Sequence, residues 1–281
     1  MLEALKPLIE SVYLSTYSYV KPGAPHRFST YFLNLHSIVH TFTSAIGEYL
    51  RSIEVGYQVS EGKLGFNKVP VGDLISNALH SSSKRLGPSS FQELHLVMIP
   101  TVIAASYSLK LRGRSEGFSK AFLDGLRNTI LYNDVRETVK VYTALRDLGG
   151  RYSSIINSLA LTASRIEVEA ASLSDLLSDI GRSDKAVYAF NKLYMHFIDL
   201  SNKFINYYVD SRDLNYAATA TYALIVKNLL GITFNPKIKT RGDLLKLLKL
   251  DKEFHDKGLE LSYLLPVLTA VTFIGLARLG I

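Results

Sequence analysis

The chain contains no cysteine and no tryptophan among its 281 residues. The absence of cysteine excludes disulfide bonds, thiolate zinc sites and cysteine nucleophiles together. A signal-peptide pattern is also missing from the first residues, because Glu3, Lys6 and Glu10 interrupt any apolar run there. We therefore expect a cytoplasmic protein.

Acidic residues are fewer than basic ones, at 25 against 32, which gives a formal net charge of +7 and a pI near 9.3. This balance favours anionic ligands such as nucleotides, coenzyme A-like molecules or nucleic acid. The densest basic stretch, residues 237–249, is interrupted by Asp243. The sequence has no basic tail, zinc-finger spacing or aromatic RNA-binding signature. Nucleic acid binding is therefore unsupported, and the expected partner is a nucleotide or a coenzyme A-like small molecule.

Long apolar runs are scarce as well. Residues 94–109 include His95 and Pro100, and residues 263–277 are followed at once by Arg278. Each run is shorter than the roughly 20 residues that a spanning helix needs. We expect two buried core helices and no membrane partner.

Helical periodicity dominates what is present. Apolar residues recur at spacings of three and four, as in Leu2, Leu5 and Leu8, which predicts an all-α bundle of roughly ten helices. Residues 56–69 contain three glycines and alternate enough to permit a small exposed hairpin. We expect a single all-helical domain over residues 1–281. The predicted helices cover residues 2–16, 30–55, 71–84, 91–111, 118–130, 135–147, 153–180, 187–209, 214–230, 242–248 and 261–279.

Residues 21–27 read Lys-Pro-Gly-Ala-Pro-His-Arg, and we call them the basic turn. The two prolines and the glycine stop the preceding helix and form a short, stiff turn. Lys21 and Arg27 carry fixed positive charge, and His26 can donate from either ring nitrogen when it is protonated. We expect the side chains of Lys21 and Arg27 to be exposed.

A helix that starts just after the basic turn, with Ser29 or Thr30 as its N-cap, would aim free backbone N–H groups at the same place. That arrangement suits a phosphate. The alternative is an ordinary basic surface loop between two helices. The candidate phosphate-binding residues of the turn are Lys21, Gly23, His26 and Arg27.

The basic turn also carries a family resemblance. Lys-Pro-Gly-x-x-His-Arg, followed by a helix that ends in Ser44-Ala45-Ile46, resembles the triphosphoribosyl-dephospho-coenzyme A synthase family, and its archaeal branch in particular. The resemblance implies an all-helical transferase. It would use ATP and dephospho-coenzyme A to make the precursor of the prosthetic group of citrate and malonate lyases or decarboxylases. ATP would then be a substrate, and Mg²⁺ a candidate cofactor.

The family pattern contains four further polar elements, and this chain departs from each of them. Ser15 stands where a Glu precedes the turn, and residues 28–30 offer no carboxylate after it. Residues 87–90 read Gly-Pro-Ser-Ser in place of Gly-Thr-Asn-Thr, and Pro266 replaces the acidic end of a late Asn-Pro-Gly-x-x-Ala-Asp, although Asp251 lies on the approach to it. The landmarks keep their intervals, whereas the usual carboxylates for Mg²⁺ are not found.

A fifth segment, residues 139–146 followed by Gly149 and Gly150, resembles the family's Val-Asn-Val-Tyr-Arg-Ala-Ile-Arg and the glycines after it. Tyr142 and Arg146 lie four residues apart, on one face of the helix. The resemblance implies that both line a nucleotide pocket. The alternative is an ordinary amphipathic helix with a glycine C-cap.

Two functional hypotheses stay open. One is a remote transferase, and the other is a non-catalytic relative that keeps the fold and acts as a nucleotide-binding or assembly subunit. The sequence assigns no catalytic residue. His36 and His40 have metal-compatible spacing, but no Glu completes a His-Glu-x-x-His pattern, so we expect no metal site there. The 17 tyrosines indicate amphipathic helix contacts or a homo-oligomer interface.

Overall fold

The computed structural model describes residues 2–29, 36–87, 91–112 and 117–281. Within these residues there are fifteen α-helices, three short 3₁₀-helices and no β-strand, which confirms the all-α prediction. The 3₁₀-helices are Phe66–Lys68, Tyr194–His196 and Ser262–Leu264. The α-helices are α1 (Leu2–Tyr17), α2 (Ser37–Ser44), α3 (Ile46–Ser60), α4 (Val71–Leu86), α5 (Glu93–Arg112), α6 (Gly117–Leu131), α7 (Val135–Asp147), α8 (Gly150–Ser158), α9 (Ala163–Glu169), α10 (Leu173–Gly181), α11 (Lys185–Leu193), α12 (Phe197–Ser211), α13 (Leu214–Leu230), α14 (Arg241–Asp256) and α15 (Leu265–Leu279).

The helices outnumber the roughly ten predicted, because polar caps divide several of the long predicted segments. The helix predicted over residues 153–180 is three helices, α8 to α10. Thr162 caps α9 through its side chain, and Ser172 forms a capping box with Asp175 at the start of α10. Residues 30–35 of another predicted helix lie outside the described residues.

The predicted hairpin at residues 56–69 is wrong. Helix α3 continues to Ser60, and a turn and a 3₁₀-helix follow it. Gly56 lies where α3 crosses α5, and a Cβ atom there would be 2.5 Å from the carbonyl oxygen of Ile103. This glycine therefore permits close packing of two helices and does not mark a turn.

Helix α5 lies at the centre of the core. It packs against α3, α4, α6, α11 and α15, and sixteen of its twenty residues are buried. Helix α5 and residues 262–279 are long and apolar enough to span a membrane by length and composition alone, but 83% and 78% of these windows are buried inside the protein. This burial confirms the prediction of two buried helices. The core helices of soluble proteins pass the same test of length and composition.

The first and last helices are neighbours. Helix α15 packs against α1, α12 and α13, and the Thr269 hydroxyl on α15 donates a 2.8 Å hydrogen bond to the Ser15 hydroxyl on α1. This pairing holds the end of α1 inside the protein. The basic turn that follows α1 is thereby brought against α13, α14 and the segment before α15.

Candidate functional site

The basic turn is folded into the protein. Lys21 and His26 are fully buried, whereas Arg27 is exposed. The Lys21 Nζ donates to the Ser18 Oγ at 3.0 Å and to the carbonyl oxygen of Thr16 at 3.4 Å. Burial lowers the pKa of Lys21 well below its usual value, and the nearby Arg27 charge adds to the effect. The expectation of exposed side chains is wrong for Lys21 and correct for Arg27.

Asp251 of α14 binds two groups of the basic turn, one on Gly23 and one on His26. Its Oδ1 accepts the Gly23 N–H at 2.9 Å, and its Oδ2 lies 3.1 Å from the His26 Nε2. The Phe28 N–H donates to the His26 Nδ1 at 3.1 Å, so the ring proton is on Nε2 and points at Asp251. Burial lowers the pKa of His26, although Asp251 opposes the shift. His26 is therefore a neutral imidazole with both nitrogens in use.

The peptide backbone of the turn packs on the segment before α15. Gly23 has a φ of +76°, and a Cβ atom there would lie 2.8 Å from the carbonyl oxygen of Leu259. The Leu261 N–H donates to the Gly23 carbonyl at 2.6 Å, and the Tyr222 hydroxyl donates to the Pro22 carbonyl at 2.7 Å. Two sequence landmarks, the basic turn and residues 258–266, are thus in direct contact.

Arg27 points away from this contact. Its Nε donates to the Tyr17 carbonyl at 2.8 Å, one terminal nitrogen donates to the Asn215 Oδ1 at 2.5 Å, and its guanidinium lies 5.1 Å from the Tyr19 ring centroid. The Ser29 hydroxyl accepts the His26 N–H at 2.8 Å, and residues 30–35, which would begin a helix capped by Ser29, lie outside the described residues.

Thr30, the other predicted N-cap, lies outside the described residues. Phosphate binding by Lys21, Gly23, His26 and Arg27 stays a prediction. Most of the polar atoms that it would use already have partners within the protein.

Tyr142 and Arg146 lie on α7, as predicted, but the structure does not bring them to the basic turn. Helix α7 packs against α4, α8, α9 and α10, whereas the turn contacts α13 and α14. Tyr142 is 6% exposed, and Arg146 is exposed and pairs with Asp147 at 2.9 Å. Their role in nucleotide binding stays a prediction.

A pocket of about 710 Å³ lies among the starts of α5, α8 and α11 and residues 258–263, and we call it the α8 pocket. In the sequence, Phe91 and Glu93 come just after residues 87–90, and Arg151 and Tyr152 come just after the Gly149-Gly150 pair, of which Gly150 also lines the pocket. The other lining residues belong to residues 258–263 and to residues 183–185 at the start of α11. The lining residues are Phe91, Glu93, Gly150, Arg151, Tyr152, Ser183, Lys185, Gly258, Glu260, Ser262 and Tyr263.

The N-terminus of α8 is on this wall. Gly149, with a φ of +75°, is the N-cap residue, and no described side chain caps the helix there. The first N–H groups of a helix have no partner within it and carry partial positive charge, which favours an anion. The exposed Lys185 adds a full charge nearby, with its Nζ 5.8 Å from the Tyr263 ring centroid.

Arg151 supplies the second cation of the pocket. It forms an ion pair with Asp184, whose other carboxylate oxygen accepts the Val187 N–H at 2.8 Å and so caps α11. The Asp184 side chain is fully buried, whereas that of Arg151 is 52% exposed. The buried carboxylate therefore fixes the position of a guanidinium that still faces solvent.

Glu93 and Tyr152 are the buried titratable groups of the wall, at 7% and 3% exposure. Burial raises the pKa of Glu93 to about 7 and the Asp184 charge adds to the shift, whereas a hydrogen bond with the backbone N–H of Glu93 itself and the Arg151 charge oppose it. The Tyr152 hydroxyl makes no hydrogen bond of normal geometry among the described residues. Burial, followed by the Glu93 and Asp184 charges and by a minor hydrogen-bond interaction with the Asp184 carboxylate, raises the pKa of Tyr152 well above its usual value, and Arg151 opposes the shift.

The donor set of the pocket does not suit Mg²⁺. Asp184 is already bound by Arg151 and the Val187 N–H, and Glu260 accepts the Ser262 hydroxyl at 2.8 Å. Across the described ranges, no group of three or more His, Cys, Asp or Glu side chains could hold a metal ion. Mg²⁺ prefers an octahedral set of oxygen ligands, and the described residues of the pocket do not supply one.

Sequence reasoning missed five residues of this site: Glu93, Arg151, Tyr152, Asp184 and Lys185. Glu93 stands alone as an acid before a long apolar stretch, which is a detectable signal of a buried carboxyl group. Tyr152 follows a glycine pair whose pattern indicates only a helix C-cap. The same two glycines also begin α8, since Gly149 is its N-cap residue and Gly150 is its first residue.

Comparison of the chain with protein-family models, curated proteins and solved structures found no match. The resemblance to triphosphoribosyl-dephospho-coenzyme A synthases therefore rests on the quoted motifs. The activity that it implies is a proposal.

Proposed function

We propose that this protein binds an anionic nucleotide, such as ATP or a coenzyme A-like molecule, in the α8 pocket. The observation that carries the proposal is the uncapped N-terminus of α8, which opens among the described residues into a pocket with two cations on its wall, Arg151 and Lys185. Phosphate oxygens would accept hydrogen bonds from the first backbone N–H groups of α8 and form ion pairs with Arg151 and Lys185. The volume of about 710 Å³ lies within the range of small-molecule pockets.

The proposal moves the expected phosphate site from the basic turn to a neighbouring surface. The turn packs beneath residues 258–263 through Gly23 and Leu261, so it supports one wall of the pocket. Residues that follow the third family landmark in the sequence, residues of the fourth landmark, and Gly150 line the same pocket. This convergence supports the family resemblance at the level of layout, with different residues facing the ligand.

The transferase hypothesis is the second candidate. The observation that favours it is Glu93, a buried carboxyl group whose pKa is raised to about 7, because such a group can take up or release a proton near neutral pH. The loss of the family's carboxylates favours instead the non-catalytic nucleotide-binding or assembly subunit. Cytoplasmic localisation and a homo-oligomer stay predictions.

Thermal unfolding with and without ATP tests binding. A ligand that binds only the native state at 100 times its Kd adds about 2.7 kcal/mol of stability, which should raise the Tm by several degrees. Lys185→Ala should weaken ATP binding by about tenfold, since a charge-assisted contact contributes roughly 1.5–3 kcal/mol. Its matched control is Lys192→Ala, because Lys192 is also exposed on α11 and also lies over a tyrosine, with its Nζ 5.6 Å from the Tyr188 ring centroid.

An ATP response that is absent, or that both lysine variants reduce equally, would refute binding in this pocket. A separate incubation with ATP and dephospho-coenzyme A distinguishes the two candidate functions. Mass spectrometry should detect a product that joins parts of both molecules if the protein is a transferase. It should detect none if the protein only binds them.

A further inference from the structure

We infer that Glu93 and Tyr152, two buried residues in the wall of the α8 pocket, recognise the base of a bound nucleotide through hydrogen bonds to it. This inference rests on the proposed nucleotide binding. It divides the pocket by chemistry into a cationic part that holds phosphate and a neutral polar part that binds an uncharged group. The ligand class is therefore a nucleotide with an acceptor-bearing base, and a bare polyphosphate would engage only the first part.

The Tyr152 hydroxyl is a buried donor. Tyr152 lines the pocket at 3% exposure, and among the described residues its hydroxyl makes no hydrogen bond of normal geometry, with only a minor interaction toward the Asp184 carboxylate. A buried polar group without a partner costs roughly 1–3 kcal/mol. A ligand atom that accepted its proton would remove that cost, so the hydroxyl favours a ligand with an acceptor at this point.

Glu93 lines the same pocket as this hydroxyl at 7% exposure, and its charge acts on Tyr152. The charge of the buried Asp184 favours the protonated form of Glu93, whereas a hydrogen bond with the backbone N–H of Glu93 itself and the Arg151 charge oppose protonation. Two carboxylates in one buried region favour protonation of the one without an ion pair, and Asp184 is paired with Arg151. Glu93 is therefore the carboxyl group that takes up a proton near neutral pH.

The rest of the wall suits a base as well. A protonated carboxyl group donates one hydrogen bond and accepts another, which matches the paired donor and acceptor atoms on the edge of a purine. Phe91 and Tyr263 line the pocket and supply aromatic surface on which a base can stack. A phosphate group can accept the hydrogen bond from the protonated carboxyl group, but it uses neither the carboxyl acceptor atom nor the aromatic surface, since it is itself an acceptor and has no ring to stack.

The remaining charged groups at the pocket are consistent with this division. Lys185 is exposed at the entrance, and Glu260 is exposed and accepts the Ser262 hydroxyl. Arg151 is held by Asp184 and serves the anion. Substitution of Arg151 is not a suitable test, because it would leave Asp184 charged and buried without its partner.

The test compares the affinities of ATP and inorganic tripolyphosphate by calorimetry, for each variant at one pH. Tyr152→Phe removes one hydroxyl and no charge, so it should weaken ATP binding by roughly three- to tenfold and leave tripolyphosphate binding unchanged. Tyr188→Phe is the matched control, because it removes a hydroxyl from an exposed tyrosine of α11 that does not line the pocket. It should change neither affinity.

The second arm uses Glu93→Gln, which keeps a donor and an acceptor but cannot ionise. At pH 6 the variant should bind ATP as the parent protein does. At pH 8, where Glu93 is mostly ionised, the variant should bind ATP more tightly than the parent, and the ratio of ATP to tripolyphosphate affinity should be higher in the variant. Glu260→Gln makes the same chemical change at an exposed position of the pocket and should leave that ratio unaltered.

The outcomes separate this inference from the proposed function. If tripolyphosphate and ATP both bind but Tyr152→Phe affects them equally, or affects neither, the base-recognition inference is wrong and phosphate binding in the pocket stands. If neither ligand binds the parent protein, the proposed function fails and the inference fails with it. A circular dichroism spectrum like that of the parent shows that each variant is folded.

Discussion

The bond between Asp251 and the basic turn predicts a large effect of a conservative substitution. Asp251 is 2% exposed, and its two oxygens accept hydrogen bonds from Gly23 and His26, which are more than two hundred residues away in the chain. Asp251→Asn replaces one oxygen by an amide nitrogen of almost equal size. Any loss of stability therefore reports hydrogen bonding and charge, and volume contributes little.

The tautomer of His26 makes this substitution costly. If the new amide nitrogen faces His26, two donors meet, because the ring proton is on Nε2. The ring cannot relieve the conflict by moving its proton to Nδ1, since Nδ1 accepts the Phe28 N–H. If the amide is flipped, the nitrogen faces the Gly23 N–H and the same conflict arises there. One buried donor is left without an acceptor in either orientation, at a cost of roughly 1–3 kcal/mol, and the loss of a charged acceptor adds to it.

We therefore expect Asp251→Asn to lower the free energy of unfolding by about 2–4 kcal/mol. Urea unfolding followed by circular dichroism measures this as a lower midpoint at an unchanged slope. Asp256→Asn is the matched control, because it makes the same change at an exposed position of α14 and should alter stability by less than about 0.5 kcal/mol. If the two variants unfold at the same urea concentration, the assigned role of Asp251 and the His26 tautomer are both wrong.

Two further predictions concern a helix contact and pH dependence. Gly72→Ala should destabilise the protein by about 3 kcal/mol or more, because the new Cβ would lie 2.1 Å from the Glu137 carbonyl oxygen and force α4 away from α7. In the same urea assay Gly47→Ala should be neutral or stabilising by up to about 1 kcal/mol, because a Cβ atom at Gly47 would have no atom within 4 Å. Burial lowers the pKa of His95 from 6.5 to about 3, so the unfolded state binds the proton first and stability falls as pH drops below 6.5. Between pH 7 and pH 5 the protein should lose about 2 kcal/mol more than His95→Asn does, and equal losses in urea titrations would refute the assignment.

The helices are predictable from the sequence because most of them bury one apolar face. The two predicted segments 135–147 and 214–230 match α7 and α13 in full. Their ends carry clear signals, since Asp134 and Asp213 accept backbone N–H bonds as N-caps and Gly231 ends α13. Where periodicity is the only signal considered, as over residues 153–180, the caps inside the segment are missed.

The errors come from residues whose meaning depends on a distant partner. Gly56 resembles a turn residue in the sequence, and only its contact with α5 explains why a glycine lies inside a helix. Lys21 resembles an exposed phosphate ligand, but Asp251 holds the turn inward from more than two hundred positions along the chain. Glu93 and Tyr152 line one pocket only because α5 and α8 both start beside it. Local patterns contain none of this information.

The pairing of α1 with α15 has a consequence for synthesis. Helix α1 is made first, but one of the surfaces that it buries is supplied by residues 265–279, including the bond from Thr269 to Ser15. Contacts this distant in sequence close late, because the loop between them must be ordered first. During translation, the part of the apolar face of α1 that α15 covers therefore stays exposed until α15 has been made. A nascent chain stalled before residue 265 should be a substrate for chaperones that bind exposed apolar helices.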